Sequence, residues 1–313
     1  MAERKGILRE GARRVWKQQR IVWWFFVLNL VLAWIAAIPY RVRLTALTAH
    51  SLGAERLVNG FDFDAYSELI DNPDVAYAAR LPESGVAVLV YFLFVLFATG
   101  GVIEAYAADR KLTIGEFFQS CGEYFWRWVR LFVVLLIVLA PLGLLSSVLL
   151  RWSGRLMQNT VNEKTGYWVG LGVFVLTALV TMLVRLWFDM TQIRTVIDDE
   201  HGMLRTAVHS FRFTFSNFAP LFWLYLRISV LAWLGLFGGL WLWAHIPGSR
   251  SGLSFFILEI VLLWWIGTRL WQRASETVWY LRRSVPQPSP PQTVETVSLQ
   301  SPSNPAPGIL PTI

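Results

Sequence analysis

The sequence predicts an all-α fold: an integral membrane bundle of six transmembrane helices, with amphipathic interfacial helices on the cytoplasmic side. Three observations predict it. Of 313 residues, 55% are hydrophobic and only 16% charged, against roughly 25% charged in an ordinary soluble domain. Six apolar runs are each long enough to cross a hydrocarbon core of about 30 Å, which takes ~20 helical residues. Lysine and arginine fall unevenly between alternate connections, as the positive-inside bias requires. A disordered, fibrous or ordinary soluble globular protein is excluded. The single Cys121 excludes an intrachain disulfide framework and a cysteine-based metal cage.

The expected spans are residues 21–38, 86–103, 131–150, 167–187, 220–243 and 253–270, within one transmembrane domain over residues 1–283. Each is helical because lipid leaves no water to satisfy backbone groups, and only helices or closed barrels satisfy them internally. Barrel strands alternate apolar and polar residues, and LFVVLLIVLAPLGLLSSVLL does not. The first run is preceded by twenty residues and followed by no A-x-A site before Pro39, so it reads as a retained anchor rather than a cleaved signal peptide.

Nineteen Lys and Arg fall on the side shared by the two termini, and eight on the other, with Arg227 alone inside a span. Both termini are therefore expected in the cytoplasm, in a multi-pass inner-membrane protein. The formal charge of +7 is then a topology signal that also attracts anionic headgroups. Nucleic acid is not an expected partner, because no soluble basic domain exists to bind it. Most of the 17 Trp suit an interfacial belt, with Trp23, Trp24, Trp126, Trp128, Trp187 and Trp271 at the inner surface, while Trp264 and Trp265 read as deeper packing residues.

LREGARRVWKQQR, IGEFFQSCGEYFWRWVR and LRTAVHSFRFTFSNF precede the first, third and fifth spans. Each mixes basic and aromatic residues at helical spacing, as an amphipathic helix in the headgroup plane does. Three units of interfacial helix plus hairpin follow, although basic and aromatic residues also flank cytoplasmic helix ends without any repeat. The outer connection, residues 40–85, holds seven acids; Asp62, Asp64 and Glu68 are a candidate cation cluster, with a solvated capping face as the plainer alternative. Residues 284–313 hold eight of the 14 prolines and no Lys or Arg, which predicts a disordered cytoplasmic tail.

Ionisable residues within spans are costly and draw attention first. Arg227 in the fifth span and Glu259 in the sixth are expected to pair, with Asn29, Thr177 and Thr181 joining an intramembrane polar cluster. That cluster is either a static clamp or a polar pathway. Glu104 and Asp189, at the inner ends of the second and fourth spans, form a second candidate pair of inner-surface acids, and Arg185 stands one helical turn before Asp189. IDDEHG offers His201 beside acids, but Gly202 more simply ends one helix and begins the next. G-x-x-x-G at Gly166/Gly170 and Gly235/Gly239 predicts close helix packing. There is no H-E-x-x-H, no phosphate-binding loop and no G-x-S-x-G, so no catalytic, cofactor-binding or metal-ligating residue is assigned and no cofactor is expected.

FATGGVIEAY leading to EFFQSCGEYFWRWVRL, together with RLWFDMTQIRTVIDDEHGMLRTAVHSFRF, resembles a group of bacterial polytopic membrane proteins, and loosely the membrane domain fused to some glycerophosphodiester phosphodiesterases. Asp189, Arg194, Ala207 and Phe211 carry the likeness. No phosphodiesterase domain is present, so that activity does not carry over. The resemblance implies a membrane-embedded helper module. The expected role is a non-enzymatic scaffold or helper for lipid or solute handling, with membrane lipids as partners and a second copy or another membrane protein as a further candidate. The alternatives are a small channel or transporter using the Arg227/Glu259 band, and a lipid-modifying enzyme using Glu104 and Asp189.

Overall fold

A computed structural model describes residues 2–49, 77–159, 163–247 and 250–284, together with Asp64, Ser67 and Asp71. These form eight helices and no strand: α1 (Ala2–Lys17), α2 (Gln19–Thr48), α3 (Tyr77–Ala107), α4 (Ile114–Asn159), α5 (Glu163–Ile197), α6 (Met203–Ser216), α7 (Phe218–Ala244) and α8 (Ser251–Ser284). Six of them, all but α1 and α6, contain stretches long and apolar enough to cross a membrane. Every expected span lies inside one of the six. Helices α2 and α4 continue through Pro39 and Pro141, as apolar spans can where local adjustments re-satisfy the freed carbonyls. The tail after Ser284, and Asp62 and Glu68 of the acidic connection, lie outside the described residues.

The spans pair as three hairpins, α2 with α3, α4 with α5 and α7 with α8. A second set of contacts joins the hairpins at the end where both termini lie, called here the basic end. There α3 packs on the first half of α4, α5 on α6, and α8 on α1, so each hairpin is tied to the amphipathic segment of the next and the ring closes through the N-terminus. Helix α1 is seated closely. A Cβ at Gly11 would come within 2.9 Å of the Ser275 backbone, and Trp271 Nε1 donates to Leu8 O at 2.9 Å. At the corresponding contact of α3 with α4, a Cβ at Gly101 would meet Phe117 O at 2.8 Å.

The three amphipathic segments thus occupy corresponding places, but they are not three separate helices. Gln18 (φ −109°, ψ 30°) and Asn217 (φ −118°, ψ 26°) break the chain between α1 and α2 and between α6 and α7 with nearly the same geometry. The segment before the third span runs into it without a break, and Trp128, expected in the interfacial belt, is wholly buried there. Asp109 (φ 46°) and Asp199 (φ 47°) turn the chain after α3 and α5. Both are left-handed positions, which a short polar side chain tolerates better than a branched one.

Burial is concentrated in one half of the bundle, with Ser153 of α4 and Val261 of α8 as exceptions. The buried residues of α2 are Ile21 and Phe25, those of α3 begin at Leu96, and those of α5 begin at Leu186. Beyond them the far halves of the hairpins expose apolar faces, Val31, Ile35 and Ile38 on α2 or Leu144, Leu145 and Val148 on α4. The chain's core therefore sits at the basic end, and so does its buried chemistry.

Candidate functional site

Two helical stripes meet in that core. Arg185, Asp189 and Gln192 follow one another at one-turn spacing on α5, and Arg269, Gln272, Arg273 and Glu276 do the same on α8. Residues three or four apart share a helix face, so each stripe presents its polar groups to the other. Arg273 Nη2 donates to Asp189 Oδ1 at 3.0 Å, and its Nη1 donates to Gln192 Oε1. Behind this contact, Gln272 Nε2 donates to Glu276 Oε1 at 3.0 Å. Asp189 is 4% exposed and Glu276 fully buried, and Glu276 Oε2 has no hydrogen-bond partner among the described residues. Charge-assisted bonds such as Arg273–Asp189 are short and about twice as strong as neutral ones, which is what permits this much charge inside an apolar bundle.

Between the stripes lies a cavity of about 410 Å³, walled by α2, α3, α5 and α8. Three guanidiniums line it, Arg185, Arg269 and Arg273, with Asp189 as the one carboxylate. They are not equally satisfied. Arg273 has spent its fork on Asp189 and Gln192. Arg185 comes no nearer than 3.9 Å to Asp189, beyond hydrogen-bonding reach. Arg269 stands beside the Tyr225 hydroxyl of α7 and lies over the Trp265 ring, 4.6 Å from its centre, with no ion pair among the described residues. The rest of the wall is aromatic and aliphatic, Phe25, Tyr91, Val95 and Ile266 among it.

Of the residues expected from the sequence, only Asp189, with Arg185, belongs to this site. Glu104 is half-buried and forms no ion pair among the described residues. Nor does it match Asp189 in register: counted back from the left-handed turns at Asp109 and Asp199, the position matching Asp189 is Thr99, which does line the cavity. The Arg227–Glu259 pair is not formed. Arg227 is exposed on α7 and Glu259 half-buried on α8, because these helices are antiparallel and the glycines set their register. Gly235 lies against Trp264 and Gly239 against Val261, which brings Arg227 level with about Gln272, roughly 20 Å along the axis from Glu259. Asn29 bonds to Phe25 O within its own helix, Thr177 is half-buried and Thr181 exposed. No hydrogen bond joins any two of the five.

Arg269, Gln272, Arg273 and Glu276 were the missed residues. They follow the apolar run of the sixth span, where Lys and Arg read as topology markers. The signal was there: polar residues at i, i+3, i+4 and i+7, with Val278, Trp279 and Tyr280 just beyond them. That stripe of charge is embedded in an apolar helix, not a solvated helix end.

Among the described residues no three His, Cys, Asp or Glu converge as metal ligands. His201 instead stands beside Arg127, which bonds to Asp199 Oδ1 at 2.6 Å. No family model, curated protein or solved structure matches the chain.

Proposed function

We propose that this multi-pass membrane protein is a non-enzymatic helper module for lipid handling, seated in a bacterial inner membrane with both termini in the cytoplasm. The observation that carries the proposal is the cavity among Arg185, Asp189, Arg269 and Arg273. Its polar wall lies at the basic end, and its aromatic and aliphatic wall belongs to helices whose far halves are unpacked. Polar groups at one level beside apolar surface at the next suit an amphiphile, whose two parts need those two environments. The bias of Lys and Arg toward this end supports a cytoplasmic placement, and the likeness to a membrane domain that accompanies an enzyme supports a helper role. The transport alternative drew on an Arg227–Glu259 band, and those side chains lie at different depths.

The test is to purify the full chain in mild detergent and quantify co-purifying lipid. About one lipid per chain is expected, and Val95→Trp, which places an indole in the cavity, should lose it while eluting as the wild type does. A lipid-free wild-type protein, or lipid retained equally by the filled variant, would overturn the proposal.

A further inference from the structure

We infer, building on the lipid-handling reading, that the cavity binds a phosphate group between Arg185 and Arg269, with Arg273 behind them. The charge count favours an anion: three guanidiniums against one lining carboxylate leave the wall two charges positive. Donors are open as well. Arg185 is 3.9 Å from Asp189, and Arg269, beside the Tyr225 hydroxyl and over the Trp265 face, has no ion pair among the described residues although Asp189 attracts it. Guanidinium forks match the oxygens of phosphate two at a time, and stacking on an aromatic ring leaves the edge of Arg269 free to do so. Phosphate suits the cavity better than a single carboxylate, because its three or four oxygens can meet two forks at once and it can carry two charges. A trimethylammonium group would bring a cation against three others. The ligand is therefore an anionic phosphate without an attached cation, either the headgroup of a lipid such as phosphatidic acid, its chains along Phe25, Tyr91 and Val95, or free phosphate.

Arg273 holds the bundle together through Asp189, so the test rests on the other two arginines. The full chain is placed in phosphatidylcholine nanodiscs, with or without one-tenth phosphatidic acid, and retained lipid is measured by native mass spectrometry. Inorganic phosphate alone is titrated in parallel. The wild type should retain phosphatidic acid over phosphatidylcholine. Arg185→Gln, on a half-exposed side chain, and Arg269→Gln should each weaken this about tenfold or more, as expected for losing a charged hydrogen bond. Arg269→Lys should keep part of the affinity, and Arg227→Gln, outside the cavity, all of it. Phosphate that binds alone, with the same loss in both Gln variants, identifies the free anion as the ligand, whereas phosphate that neither binds nor competes identifies the headgroup. Phosphatidic acid held equally by both Gln variants overturns the assignment. Phosphatidylcholine held in preference, indifferent to either substitution, also overturns it but leaves the lipid-handling reading standing. Retention of no lipid and no phosphate removes both.

Discussion

Arg273 reaches Asp189 across the two stripes and is the ionic link between the second and third hairpins at their most buried level. Removing the carboxylate would leave the guanidinium with Gln192 as its hydrogen-bond partner; a fully buried pair that loses one partner costs about 3–5 kcal/mol, and the partial exposure of Arg273 reduces that figure here. Asp189→Asn is therefore expected to lower the midpoint of thermal unfolding in detergent clearly, while Glu104→Gln, at an unpaired acid, leaves it near the wild type. Equal midpoints would mean that the pair is incidental. At this scale the sequence was partly legible. Asp189 stands out as an acid at a span end with Arg185 one turn before it. Arg227 and Glu259 mislead because membership of neighbouring spans does not bring two residues to the same level. The register between antiparallel helices is set elsewhere, by the closeness that Gly235 and Gly239 allow against Trp264 and Val261.

Among elements, α1 is the one whose role was least visible. Its basic and aromatic spacing marks an amphipathic helix, but nothing in LREGARRVWKQQR says that it docks on α8, more than 250 positions away. The docking is held by helix approach at Gly11, by the Trp271–Leu8 bond and by Glu10, which accepts from both Arg14 and Arg282. Gly11→Leu cannot be accommodated without pushing α1 off the Ser275 backbone. It should expose α1 to protease in otherwise folded protein, whereas Gly115→Leu, where a Cβ meets nothing, should not. Equal resistance in both would show that α1 is not seated by this contact. The break before α7 had a signal in Pro220, which lacks the N–H of a helix interior and suits a first turn. The uninterrupted α4 had none, since the segment around the break at Gln18 is equally free of proline.

At the scale of the whole molecule, the basic end is a ring laced by ion pairs, and its stability should depend on pH. Burial pushes the Glu10 carboxyl up, but the bonds from Arg282 and Arg14 outweigh it and hold the group below its ordinary value. Lys17 does the same to Asp109, with help from Arg14 and Arg13, and Arg127 to Asp199. A carboxyl lowered on folding contributes fully above its ordinary pKa, 4.5 for Glu10 and 3.8 for Asp109, and that contribution is lost as pH falls through the folded value. The contribution of these pairs to the thermal midpoint should therefore be constant above about pH 5 and decline below it. Glu10→Gln and Asp109→Asn should blunt the decline, and high salt should shrink it because these pairs are partly exposed. Variants whose midpoints fall below pH 5 as steeply as the wild type's would contradict this. The six spans were legible here because length and hydropathy suffice to find them. The closing of the ring through the N-terminus was not, since it depends on contacts between the two ends of the chain.

With its knot of buried residues at one end, the protein resembles a tripod gripped at the collar. Three hairpin legs leave that collar, and among the described residues little side-chain packing braces one leg to the next. In a bilayer, hydrocarbon tails would then be the mortar between them, and the spread of the legs should follow the thickness of the surrounding membrane, widening or narrowing as lipid chain length is changed.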